Sequence, residues 1–157
     1  MTMLLLDLLR EDRIFLDLHP KDVRECLEIM TGKLCACGAL ADSSDAITRL
    51  LDREGTMSTG MGGGVAVPHA KSPLLRDMVV ALGQVSDGVD FKAIDGRPVH
   101  LVFLLIGPPD STRQHVDLLA RIAYLVKSPG MVEALRSATT PEQILAAIRS
   151  EVARDRR

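Results

Sequence analysis

Aromatic residues are scarce in this 157-residue chain: no Trp, one Tyr and three Phe. A stacking platform for single-stranded nucleic acid needs several aromatic faces, so that use is excluded. Positive charge is not in surplus either. Lys and Arg number 19 against 21 Asp and Glu, a net of −2, and no predicted helix carries a basic stripe. No nucleic-acid footprint follows. Long apolar runs are lacking too, none approaching the ~20 residues that span a bilayer. The opening MTMLLLDLLRED has no basic leader and no small-residue cleavage site, and Asp7 interrupts it. It reads as a short amphipathic helix rather than a secretion signal. Cysteine is sparse and odd in number: Cys26, Cys35 and Cys37. No disulfide framework follows, and Cys35-Ala36-Cys37 is a weak metal signal, so reduced thiols in a cytoplasmic protein are expected.

What is plentiful is aliphatic. The apolar fraction is 46 %, and at 17.0 kDa the chain has enough of it to bury one core. One domain over residues 1–157 is expected. A short helix from Leu4 to Arg10 leads into the strand RIFLDL, after which Pro20 opens a helix ending at Gly38. SSDAITRLLDRE reads as a helix stopping before Gly55. MVVALGQV is a strand, SDGVDFKAIDGRP holds two Asp-Gly turns, and VHLVFLLIG is apolar enough to be buried on both faces. Ser111 with Gln114, and Thr140 with Pro141 and Gln143, read as capping boxes opening two helices, with the short helix GMVEALRSA between them. The mixed tail RSEVARDRR reads as frayed helix. Interleaved strands and helices without a repeat make the fold class α/β: a mixed sheet covered by helices on both faces.

The stretch TGMGGGVAVPHAKS is the most unusual. It is not a dinucleotide fingerprint, because Val65 stands at the third glycine position and no helix follows. It is not a Walker A loop, because Ala70 precedes the Lys-Ser pair. Its glycines serve either a left-handed turn or close approach of a ligand to backbone. Pro68 lacks an N–H and should end the regular strand, presenting His69 at a sheet end beside the glycine loop.

His69 there can be a nucleophile, a general base, a metal ligand or a polar edge residue. His115 is the fourth residue of the helix after Ser111, where free N–H groups and the helix dipole favour anions and a neutral imidazole. It is either a plain polar residue of the first turn or faces a negative group shared with His69. Arg53 closes the helix before Gly55, either favoured there by the dipole or reaching into the His69 site to hold phosphate oxygens. His19 reads as a surface residue and His100 as structural. A metal site is disfavoured: Asp77 and Asp110 lie nearby, but no HxH, HxxxH or Cys/His spacing supports them. A hydrolytic serine is disfavoured by the lack of any G-x-S-x-G.

STGMGGGVAVPHAKS and GVDFKAIDGRPVHLVFLLIGPPDSTRQHVDLLARIAYLV, in that order, resemble the fructose/mannitol-type IIA proteins of the bacterial phosphoenolpyruvate-dependent phosphotransferase system. The likeness runs from about Leu4 to Val152 and is greatest to the nitrogen-related (Ntr) IIA proteins. It implies a mixed sheet of about five strands, His69 as the phosphorylated histidine through Nε2, His115 as the supporting histidine and Arg53 as the active-site arginine. Ala70, where many relatives have glycine, and Gly63, where a polar residue is common, depart from the family pattern. The resemblance further implies a phosphocarrier without metal or cofactor, charged by an HPr- or NPr-like carrier protein. The expected role is regulatory, through target proteins. The alternatives are delivery of phosphate to a IIB protein for a fructose- or mannitol-type sugar, and a non-catalytic binding module.

Overall fold

The strand Val99–Gly107 is buried at every position except His100, and the other layers are arranged around it. The computed structural model describes residues 3–56 and 58–155. In chain order these form α1 (Met3–Leu8), a 3-10 turn (Glu11–Arg13), β1 (Ile14–Leu18), α2 (Val23–Ala36) and α3 (Ser43–Thr56). Then come β2 (Gly60–Gly62), β3 (Val65–Ala66), β4 (His69–Lys71), β5 (Val79–Val89) and β6 (Val99–Gly107). Helices α4 (Thr112–Lys127), α5 (Met131–Ser137) and α6 (Pro141–Asp155) complete the chain.

The sheet order is β1-β5-β6-β3-β2, with β4 also paired to β6. β5 and β6 are antiparallel; β3 and β4 run parallel to β6, and β1 runs parallel to β5. The sheet is therefore mixed, with six strand segments filling five positions, because Pro68 divides one strand into β3 and β4. Side chains alternate across it. Ala66, Val102 and Leu104 pack with Leu27, Met30, Leu34 and Leu50 of α2 and α3. Val65, Val67, Leu101, Phe103 and Leu105 pack with Leu5, Leu118, Ile122, Leu135 and Ile148 of α1, α4, α5 and α6. Among the described residues, no helix is long and apolar enough to cross a membrane.

Several local expectations need correcting. Helix α2 starts at Val23 rather than Pro20: the Asp22 carboxylate accepts from the Glu25 N–H at 2.8 Å, and the Glu25 carboxylate accepts from the Lys21 N–H at 3.0 Å. That reciprocal cap sets the first turn more firmly than a proline does. Gly38 does end α2, where the Ala39 N–H turns back to the Leu34 carbonyl at 2.8 Å. Helix α3 continues through Gly55 to Thr56. The Ser111 hydroxyl donates to the Pro108 carbonyl at 2.5 Å and does not cap α4. The second box forms, with Thr140 accepting from the Gln143 N–H at 3.2 Å, while Gln143 reaches the Thr139 N–H at 2.7 Å. Asp95-Gly96 makes its turn, but Asp87-Gly88 lies within β5, where the pairing register with β6 shifts. The tail is helical as far as Asp155; Arg156 and Arg157 fall outside the described residues.

Candidate functional site

Pro68 interrupts the strand without ending it. It withholds one N–H from the ladder, yet its carbonyl accepts from the Leu105 N–H at 3.0 Å. β4 then resumes in register, with His69 opposite Leu105, Ala70 opposite Ile106 and Lys71 opposite Gly107. His69 thus begins a strand segment instead of finishing one. Val65, Val67 and His69 share a parity, and both valines face α4, so the His69 ring is directed to that layer. Among the described residues β4 has no partner on its outer side, and His69 is half-buried there.

The ring of His69 is held by its own strand. Its Nδ1 lies 2.8 Å from the Val67 carbonyl oxygen. A carbonyl only accepts, so the neutral ring carries its proton on Nδ1 and keeps the lone pair on Nε2. The Val67 N–H in turn donates to the Thr59 carbonyl at 3.1 Å. Thr59 is buried, and the Glu54 carboxylate takes both its N–H, at 2.7 Å, and its hydroxyl, at 2.6 Å. A chain of hydrogen bonds therefore runs from the last turn of α3 through Thr59 to the His69 ring. Neither Glu54 nor Thr59 stands out in the sequence, because only the β2–β3 pairing brings Thr59 beside Val67.

Opposite stands His115, in the first turn of α4, its N–H donating to the Ser111 carbonyl at 3.0 Å. The two ring centroids are 6.1 Å apart and the planes are inclined by 51°. His115 is only 5 % exposed, and neither of its ring nitrogens has a hydrogen-bond partner. Burial, reinforced by nearby His69 and Lys71, pushes its pKa down to about 4. It is neutral at pH 7, as the helix position leads one to expect. A buried imidazole with two orphan nitrogens is a costly feature in a folded protein. Here it borders the half-buried ring of His69 at the edge of the sheet, where an arriving polar group can satisfy it.

Gly107, the last residue of β6, leaves room for three side chains. A Cβ there would run into the Met78 sulfur, and would stand 2.7 Å from the Ser111 hydroxyl oxygen and 3.2 Å from His115 Nε2. In the sequence Gly107 looks like a strand end and nothing more. Arg53 occupies the last turn of α3, half-buried, on a helix that packs against β4 from the other face of the sheet. The structure thus sets His69 and His115 face to face, with Arg53 on the adjacent helix across the sheet.

The glycine stretch is not beside His69. Gly62, Gly63 and Gly64 have φ of 87°, 66° and 84°, and Gly63-Gly64 forms the two-residue connection of the β2–β3 hairpin. Such a connection demands left-handed backbone at both positions. The Asp95 carboxylate accepts from the Gly63 N–H at 2.9 Å, and the Gly64 carbonyl accepts from the His100 N–H at 2.8 Å. That places the turn at the start of β6, five residues of extended chain or roughly 16 Å from His69. The turn reading is the one realised, and the glycine N–H groups do not line the histidine pair.

The remaining polar candidates lie elsewhere. His19 sits at the surface between Asp87, 2.8 Å from Nδ1, and Asp17, 2.9 Å from Nε2, and its pKa is raised, chiefly by the Asp87 hydrogen bond. His100 is structural, with Nδ1 3.0 Å from the Val85 carbonyl oxygen. All three cysteines are free, and burial pushes the Cys26 thiol up to about 12. Cys35 and Cys37 are half-buried at the end of α2.

Residues 7–151 match the family described as "Phosphoenolpyruvate-dependent sugar phosphotransferase system, EIIA 2". The chain is 36 % identical over 103 residues to a nitrogen regulatory protein of Pseudomonas aeruginosa, covering 66 % of this chain and 67 % of the relative. It is 31 % identical over 139 residues to the PTS system fructose-specific EIIABC component of Bacillus subtilis, covering 88 % of this chain but only 22 % of that longer protein. The crystal structure of the nitrogen regulatory protein IIA-Ntr from Neisseria meningitidis superposes with a TM-score of 0.85 at 28 % identity, over 92 % of this chain and 99 % of that one.

Proposed function

Because the chain belongs to the EIIA 2 family of the phosphoenolpyruvate-dependent phosphotransferase system, we propose that it carries a phosphoryl group on Nε2 of His69. The group arrives from the phosphohistidine of a small HPr- or NPr-like carrier protein. The bond from Nε2 to phosphorus forms as the carrier's nitrogen–phosphorus bond breaks, and the electron pair of the broken bond stays on the carrier's imidazole. Phosphoryl transfer of this kind spreads charge over the equatorial oxygens, so positioning and fixed positive potential do most of the work. The neutral His115 ring offers those oxygens a hydrogen bond, Arg53 would bring its charge around the edge of β4, and the α4 N-terminus adds its dipole. No step calls for a metal or nucleotide.

The observation that carries this reading is the His69 ring, with Nδ1 bonded to Val67 and Nε2 free, facing a buried imidazole without partners. The nitrogen regulatory relatives favour onward signalling to regulatory target proteins in the cytoplasm. The fructose-specific relative supports the second reading, delivery to a IIB domain for sugar uptake.

Incubation with phosphoenolpyruvate-charged carrier, followed by mass mapping at alkaline pH, tests the assignment. Acid-labile phosphate should appear on His69 and vanish in His69→Ala. Arg53→Gln and His115→Ala should slow transfer by about a hundredfold while leaving the domain folded. Label retained by His69→Ala counts against the site. Sugar phosphorylation with candidate IIB and IIC partners separates the transport reading from the regulatory one.

A further inference from the structure

Lys71 has no part in the reading above, yet its position relates it to that site. It lies two residues beyond His69 on β4, so the two side chains leave the strand on the same side. Across the groove, Thr112 and His115 are three residues apart on α4 and so share one helix face. The His69 ring faces the His115 ring, and the Lys71 ammonium donates to the Thr112 hydroxyl. The four side chains form two rungs between strand and helix: one of imidazoles, the other a cation tethered to a hydroxyl.

The geometry points to Lys71 as a phosphoryl-contacting residue, whose ammonium leaves Thr112 to pair with the dianion on His69. This inference rests on the phosphoryl reading of His69. A lysine stem is flexible enough to move its charge this way without backbone change. The positive charge of Lys71 already reaches the site, since it is among the influences that depress His115 protonation. The dianion offsets that repulsion and gives the cation a stronger partner than a hydroxyl.

Lys71 is exposed, so the competing use is docking of an acidic patch on the carrier. Equilibrium measurement tells the two apart. The equilibrium constant for phosphoryl exchange between free carrier and free protein depends only on the phosphorylated and unphosphorylated forms, not on how tightly the proteins meet. A contact to the phosphoryl group changes it; a docking contact changes only rates.

The test compares the wild type with Lys71→Met and Lys71→Arg, using charged carrier and, separately, potassium phosphoramidate as a small phosphoryl donor. The phosphorus resonance of the phosphohistidine is followed through a pH titration. In Lys71→Met the exchange equilibrium should move roughly three- to tenfold toward the carrier, as for loss of one partly exposed charged hydrogen bond. Its phosphoryl group should also pass from dianion to monoanion at higher pH. Lys71→Arg should restore most of both effects, and melting should be unchanged in both variants. An equilibrium constant and phosphorus titration identical to wild type, with His69 phosphorylated, overturn the role of Lys71 alone. If the wild type accepts phosphoryl on His69 from neither donor, both this inference and the proposed function fall.

Discussion

The rings of His69 and His115 stand 6.1 Å apart, one protonated on Nδ1 by virtue of its bond to Val67, the other buried without a partner. The first ring is poised to donate an electron pair, and the second is kept uncharged by burial. An anion placed between them would favour protonation of the second.

His115 should make the protein less stable in mild acid. Its pKa is 6.5 when exposed and about 4 in the fold, so the unfolded chain binds the proton first. Stability is intact above pH 6.5, falls as the pH drops from there, and levels off near pH 4. The full loss is roughly 3 kcal/mol. Urea midpoints at pH 7 and pH 5 should therefore differ more for the wild type than for His115→Gln, and equal shifts in both would refute the assignment. A phosphoryl dianion on His69 should raise the His115 pKa, readable from its ring carbon resonances.

Gly107→Ala drives a methyl group first into the Met78 sulfur, then against the Ser111 hydroxyl and His115 Nε2. Overpacking of this kind costs about 1–3 kcal/mol and disturbs the groups packed beside His115. Both the thermal midpoint and the transfer rate should fall. A variant with wild-type transfer would show that the room beside Gly107 is unrelated to the site.

Gly64→Ala is the contrasting case. A left-handed residue acquires a Cβ at the hairpin turn, at a cost of about 1–2 kcal/mol. The turn is at the far end of β3 from His69, so transfer measured on the folded variant should match the wild type. A large rate loss without a matching stability loss would return the glycines to the site.

The secondary elements were largely legible from local pattern. Strand β6 announces itself by an unbroken apolar run, and the Thr140 cap by its Pro and Gln. Errors arose where a local rule had a local competitor. Asp22 and Glu25 outweighed Pro20 at the start of α2, and the Ser111 hydroxyl was taken by Pro108. His69 was readable as a candidate because Pro68 precedes it, and His115 because Ser111 and Gln114 mark its helix; only the family resemblance joined the two. Glu54, Thr59, Gly107 and Lys71 were not, for each acquires its meaning from a residue distant in the chain or in another element.

By itself the sequence determined the α/β class, the aliphatic core and a histidine at the anion-favouring start of a helix, since these follow from periodicity, composition and local helix signals. Strand register was left to the tertiary structure. The parallel pairing of β3 and β4 with β6 sends the glycine turn to one end of the sheet and His69 to the other. Packing of α4 on that same face then sets His115 across from His69 and buries it. Register depends on contacts between segments that no local pattern encodes, and a shift of one residue would turn His69 to the opposite face.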